Sequence, residues 1–295
     1  LKVLFFLMNG RIFVILLNFL LKEVKSVFMQ NKRVLIISSE VTPYLPQTDQ
    51  AINSFQIPKA INDAGGQIRI FMPRYGMINE RRHQLHEVIR LSGMNMVVND
   101  MDLPLIIKVA SIPKERMQVY FIDNEEYFKR KAMLKDENNV LFPDNDERMI
   151  FFTKGVIETV KKLNWSPDII HLHGWFASLF PLYLKTYFSE DPIFESSKIV
   201  TSVYPNDFEG ELSPALENKV AFDIEDESAR GPLKESTYEN LMNLAINFSD
   251  GVVLSGENIA ESILSNIDSK KIPTLTFEES AKDNAYVDFF NNQII

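Results

Sequence analysis

From Arg33 onward, short runs of apolar, β-branched residues alternate with longer stretches in which apolar positions recur every three or four residues. The first kind suits a strand buried on both faces, and the second suits a helix with one face on a core. Residues 34–37 read as the opening strand. A helix over 52–64 follows, ending at Gly65-Gly66, with Pro58 expected to kink it or delay its start. Residues 68–72 form the second strand, stopped by Pro73. The segment 85–122 differs: 87–91, 94–98, 105–110 and 118–122 are strand-like and separated by Gly, Asn, Asp and Pro, which predicts hairpins or a meander.

Helical spacing resumes at Met149, Phe152, Val156, Val160 and Leu163. Beyond it come a strand at 169–172, a helix at 175–187, a strand at 199–203, a helix around Leu241, Leu244, Ala245 and Phe248, a strand at 252–254 and a helix at 257–267. Residues 206–236 read as a long, acidic, solvated loop, and 283–295 as helical, ending as a complete short chain would. Strands alternating with helices predict an α/β, Rossmann-like domain over 32–270 with a mostly parallel sheet and a small β-rich insertion.

The stretch 1–28 breaks this pattern. Fifteen of the nineteen residues from Val3 to Leu21 are apolar, flanked by Lys2, Lys22 and Lys25. Arg11 near its centre would cost about 2.5–3.5 kcal/mol in a bilayer, and no small-residue cleavage site follows. The expectation is a dispensable hydrophobic extension at 1–28 and a folded domain at 29–295, cytoplasmic and without a membrane partner.

Composition sharpens this picture. Forty acidic against 31 basic residues give a net charge of −9, which argues against nucleic acid as a partner. The absence of cysteine removes disulfides, thiolate zinc sites and cysteine nucleophiles together.

Three places can carry chemistry. His171 and His173 flank Leu172 at a strand end, where alternation puts both rings on one face and where open α/β sheets bind ligands. A zinc site there would need His83, His86 or carboxylates at no recognisable spacing, so no metal and no cofactor are expected. Asp144 to Asp146 precede the helix beginning near Met149 and suit its cap and first turn. The loop after the first strand, residues 39–50, has no glycine, lysine or arginine and makes a poor phosphate cradle.

Several blocks, in order, resemble the N-terminal, acceptor-side catalytic domain of the bacterial glycogen/starch synthase family. They are Ser39-Glu40-Val41-Thr42-Pro43-Tyr44, Phe71-Met72-Pro73-Arg74-Tyr75-Gly76, Val119 to Asn124, Glu126-Tyr127-Phe128, Asp144-Asn145 with Arg148, and Pro167 to Trp175. The helix–strand pair 240–255 completes the set. The resemblance implies half of a GT-B fold, from retaining hexosyltransferases that extend α-1,4-glucan from ADP-glucose. In that family the glucan acceptor lies on the N-terminal domain and most of the nucleotide-sugar grip on the second domain.

Carried over by position, Asp144 matches the acceptor-side catalytic aspartate, and His173 the histidine that faces the reacting sugar. Arg148 and Trp175 match framework positions and, with Glu40 and Tyr44, are candidate substrate-binding residues. Asp144 and His173 are expected to converge on one concave site, to be dispensable to the core, and to have Trp175 packed beneath them.

The departures carry equal weight. The family's K-T-G-G-L falls on Pro46-Gln47-Thr48-Asp49-Gln50, replacing its donor-binding lysine by proline. Gly174 stands for the aspartate of the H-D-W block, Val203 stands for the histidine of a later T-x-H-N block, and residues up to 295 contain no counterpart of the second domain. The expected function is a glycosyltransferase domain acting on α-glucan, with weak activity alone. ADP-glucose and a separate donor-binding chain are candidate partners. The alternative is a non-catalytic glucan-binding or regulatory protein.

Overall fold

The computed structural model describes residues 29–295, so the hydrophobic stretch at 1–28 lies outside the described residues. One ten-stranded sheet organises the rest. In chain order its strands are β1 (Arg33–Ser38), β2 (Gln67–Pro73), β3 (His86–Glu87), β4 (Met94–Val98), β5 (Met101–Ser111), β6 (Gln118–Asp123), β7 (Ile169–His173), β8 (Lys198–Val203), β9 (Gly251–Leu254) and β10 (Thr274–Leu275). Their order across the sheet is β10-β9-β8-β7-β1-β2-β6-β5-β3, with β4 pairing β5 off that path. From β10 to β6 all neighbours are parallel, and β3, β4 and β5 add the antiparallel insertion.

The central strands are buried because both faces are covered, and their apolar runs lack polar alternation for that reason. Helix α1 (Asp49–Asp63) packs on β1 and β2. Helices α2 (Asn145–Lys162), α3 (Leu179–Lys185), α4 (Tyr238–Asn247) and α5 (Glu261–Lys270) pack as a row, each against the next, with α2 on β4 and β6 and α4 on β8. Helix α6 (Ala285–Phe289) lies against α1 and β10. Gly155 lets α2 approach closely: a Cβ there would sit 3.1 Å from Leu105 and 3.2 Å from Ile122.

Four expectations need correction. Helix α1 begins earlier than Pro58 suggested, because the Thr48 side chain accepts a hydrogen bond from the Ala51 amide at 3.0 Å and caps it. The strand expected at 87–91 shrinks to His86–Glu87, since Leu91 is turned inward and its amide bonds to Val88 O. The helix expected from Trp175 opens as a 3-10 turn, Trp175–Ala177, before α3 begins. Residues 206–236 are not one solvated loop but contain the short helices Leu216–Ala221, Glu227–Arg230 and Gly231–Lys234. There Asp226 caps a helix, while Asp223 pairs with the buried Lys154 at 2.7 Å.

Strands β1 and β7 are neighbours whose connections leave in opposite directions, β1 towards β2 and β7 towards β8. Their carboxyl ends therefore define the switch point at which open α/β sheets leave a ligand crevice. Ser38 and His173 are partners in register at that point.

Candidate functional site

The carboxyl ends of β1 and β7 are knitted together by Gln50. Its Nε2 donates to Ser39 Oγ at 2.8 Å, to Ser38 Oγ at 3.2 Å and to the His173 carbonyl at 3.3 Å. Gly174, at φ 72°, makes room for it, since a Cβ there would run into the Gln50 side chain. Beside it, Thr48 donates to Glu40 Oε2 at 2.6 Å. The amino-terminal end of α1, the natural anion-binding end of a helix, is thus faced by the Glu40 carboxylate and followed by Asp49. Burial raises the Glu40 carboxyl above its ordinary value, against the Thr48 hydrogen bond, and Asp207 adds to the rise. Lys135 pairs with Asp207 at 3.4 Å, and Trp175 Nε1 donates to the same carboxylate at 2.6 Å. Trp175 is buried and stands edge-on to Phe208.

His171 and His173 do share a face, their ring centroids 4.3 Å apart. His171 Nε2 meets Ser202 Oγ at 2.8 Å, and His173 Nδ1 meets Tyr204 Oη at 2.9 Å. Both residues are fully buried, and His171 lies under the edge of Phe290. Burial pushes the His171 imidazole down to about 3; it also holds His173 well below the usual histidine range, where His171 lowers it further. The other ring nitrogens, His171 Nδ1 and His173 Nε2, are buried without a hydrogen-bond partner. His173 is therefore part of the core, contrary to the expectation that it is dispensable to it. Among the described residues no group of three His, Asp or Glu side chains is placed to hold a metal ion.

Asp144 occupies the N-cap position of α2 but makes no side-chain cap bond. Arg130 takes both of its oxygens instead, Nη1 to Oδ1 at 2.8 Å and Nη2 to Oδ2. The guanidinium rests over Phe142, 4.6 Å from the ring centroid. Asp144 lines an open cavity of about 530 Å3 with Tyr127, Arg130 and Glu147 on one side and Met101 to Leu103 of β5 on the other. Tyr127 Oη donates to Glu147 at 3.1 Å, and burial and that carboxylate together raise its phenol. Lys219 holds the first turn from below, 2.7 Å from the buried Asp146 and 2.9 Å from Glu147.

Arg148 is fully buried, donating to Asn145 Oδ1 at 2.6 Å and to the Met133 carbonyl at 2.8 Å, with Tyr75, Phe128 and Phe142 around it. It ties the loop carrying Arg130 to the start of α2. Tyr44 is buried between His83 and Phe121, its hydroxyl unpaired.

Asp144 and His173 do not line one common wall: the first faces an open cavity, and the second has no exposed surface. Burial raises the phenols of both Tyr75, the ring beside Arg148, and Tyr204, the partner of His173, and the Glu40 charge adds to each rise. Sequence reasoning missed Gln50, Arg130, Lys135, Asp207 and Lys219. Gln50 lies in the segment set against K-T-G-G-L, Asp207 in the segment read as an acidic loop and Arg130 two positions beyond Phe128, but nothing in the sequence pointed to their contacts.

The mostly parallel α/β sheet with its switch point between β1 and β7 has the architecture of one half of a GT-B glycosyltransferase fold. The profile of the starch synthase catalytic domain matches residues 33–273. The chain belongs to that family. It is 34% identical over 241 residues to a glycogen synthase of Chlorobaculum parvum, covering 81% of this chain and 49% of that protein. With a glycogen synthase of Chlorobium limicola the identity is 40% over 176 residues, 59% of this chain and 36% of the relative. The chain thus spans about half, or less, of the length of these curated relatives. The catalytic domain of starch synthase IV from Arabidopsis thaliana, solved with ADP and acarbose, has the same fold. Its TM-score is 0.65 at 16% identity, over 84% of this chain and 52% of that one. Among the described residues no helix is long and apolar enough to cross a membrane.

Proposed function

We propose that this chain is the acceptor-side domain of a glycogen/starch-synthase-type glycosyltransferase and holds the growing end of an α-1,4-glucan beside Asp144. The observation that carries the reading is the Asp144 carboxylate, clamped by Arg130 at the wall of an open cavity in which Tyr127, Glu126 and Glu147 offer further hydroxyl partners. A fixed carboxylate with an accessible edge suits a sugar hydroxyl, which donates to it. In the full reaction a glucosyl unit passes from ADP-glucose to a terminal 4-hydroxyl. The bond from C1 to the diphosphate breaks, a C1–O4 bond forms, and the hydroxyl proton leaves with the departing ADP. His173 Nε2, its one unpartnered nitrogen, is the atom that would face the transferring sugar.

A second reading, a glucan-binding protein without turnover, is favoured by the donor side. Stabilising a leaving diphosphate needs cationic donors in place. Here Pro46 stands at the family lysine position, and Glu40 and Asp49 flank the start of α1. Purified full chain tests both readings. Calorimetry with maltoheptaose is expected to show binding that Asp144→Asn abolishes, whereas ADP-glucose alone supports little or no glucosyl transfer. Absence of glucan binding refutes the acceptor-side reading, and rapid unaided transfer refutes the weak-donor reading.

A further inference from the structure

Half of the residues that wall the Asp144 cavity are carboxylates, Asp102, Glu126, Asp144 and Glu147, and Arg130 is the one base among them. Arg130 is committed to Asp144, both of whose oxygens it holds. Lys219, beneath the floor, is shared between Glu147 at 2.9 Å and the buried Asp146 at 2.7 Å. Asp102 receives only an amide hydrogen bond, from Asn95 at 3.1 Å, and no cation pairs with Glu126 among the described residues. Five carboxylates therefore face two cations, and both cations are already engaged.

The excess continues on the far side of the segment that carries Arg130. Pro143, next to Asp144 in the chain, lines another cleft, of about 740 Å3, together with Asp207, Glu209 and Glu211. Its one cation, Lys135, pairs with Asp207 at 3.4 Å. Tyr127 registers the same field inside the cavity: burial is the main cause of its raised phenol, and Glu147, Asp144 and Asp146 each add to the rise. Among the described residues these carboxylates form no metal-holding group, so their charge acts on a ligand as a field.

That field distinguishes acceptors that have the same shape at the reacting hydroxyl. A sugar hydroxyl donates to a carboxylate and is accepted. A phosphate brings about −1.5 to −2 charges and only acceptor oxygens, and the wall has no uncommitted cation to meet it. Screening extends over about 8 Å at physiological salt, so carboxylates around an open cavity still reach a charge bound within it. Unanswered like charge is a means of rejecting the wrong partner. We infer that Asp102 and Glu126 are specificity-determining residues of the Asp144 cavity, which admits an uncharged glucan end and excludes one that carries phosphate. This inference rests on the acceptor-side reading and names which acceptor that site takes.

The test is calorimetry on the full chain with maltoheptaose and two derivatives altered only at C6 of the terminal, non-reducing glucose, one bearing phosphate and the other an ammonium group. At about 0.01 M salt the wild type should bind the phosphate derivative about tenfold more weakly than maltoheptaose and the ammonium derivative more tightly, and both gaps should close at about 1 M salt. The double variant Asp102→Asn, Glu126→Gln should reduce the phosphate penalty to about threefold or less, with the circular dichroism spectrum preserved. The ratio of affinities is the readout, because Glu126 also offers a hydroxyl partner. Equal affinities for the three ligands overturn the inference and leave the acceptor-side reading intact. A phosphate penalty that persists at high salt, with no gain for the ammonium derivative, assigns the exclusion to shape and also overturns it. A penalty that salt removes but the double variant keeps refutes the assignment to Asp102 and Glu126. Absence of maltoheptaose binding by the wild type refutes the acceptor-side reading and the inference with it.

Discussion

Lowering the pH from 7 to 5.5 should destabilise this fold through two histidines that touch no solvent. His171 and His173 are buried side by side and stay neutral, their imidazoles held below the ordinary value of 6.5. In the unfolded chain both return to 6.5 and take up protons that the folded state refuses. A folded-state value depressed in a base means that stability is fully present above 6.5 and is lost as pH falls below it. A histidine that remains neutral in the fold throughout this range costs about 1.3 kcal/mol between pH 7 and 5.5, so the pair costs about 2.5 kcal/mol. That is a large share of a typical stability of about 5–15 kcal/mol.

Two other groups carry shifts that bear on the pH dependence. Half-buried His83, lowered by burial and by Arg82, contributes a smaller loss of the same sign. Glu40, whose folded-state value is raised, acts oppositely and gains stability as pH falls. Urea unfolding followed by tryptophan fluorescence at pH 7.0 and 5.5 measures the difference, and Glu40→Gln removes the opposing contribution. His171→Gln should roughly halve the remaining loss. An unchanged unfolding free energy at the two pH values, or ring proton resonances of His171 and His173 that titrate near 6.5 in the folded protein, would refute the reasoning.

Glu40→Gln should itself raise stability at pH 7, because the raised carboxyl is penalised by burial when charged; a lower melting temperature in the variant would contradict this. Lys154→Met leaves Asp223 without its cation in a pair whose side chains are each only 8% exposed. Breaking such a pair from one side costs about 3–5 kcal/mol. Denaturant titration should find that loss, with part of it recovered by adding Asp223→Asn; a near-neutral Lys154→Met would show that the pair contributes little to the fold.

The parallel strands were legible because burial on both faces writes them as apolar runs, and β1, β6, β7 and β8 fall where those runs lie. Contacts between distant positions left no such trace. Asp223 looked like part of a solvated acidic loop because its cation, Lys154, is 69 positions away on α2. Pro58 looked like an obstacle to α1, yet the Thr48 cap sets the start of the helix well before it. At the site, resemblance supplied Asp144 and His173, whereas the groups that hold them came only from the fold. Gln50 reaches the His173 carbonyl across 123 positions. Arg130 reaches Asp144 across 14 positions of a segment whose sequence carries no spacing rule.

Hydrogen exchange of the full chain with and without maltoheptaose addresses the acceptor-side claim most directly, because it locates the bound glucan without requiring turnover. Bound glucan should slow exchange at residues 101–103, 126–130 and 144–148, the segments that wall the Asp144 cavity. Unchanged exchange there, or protection confined to α1 and the crevice beside it, would contradict it.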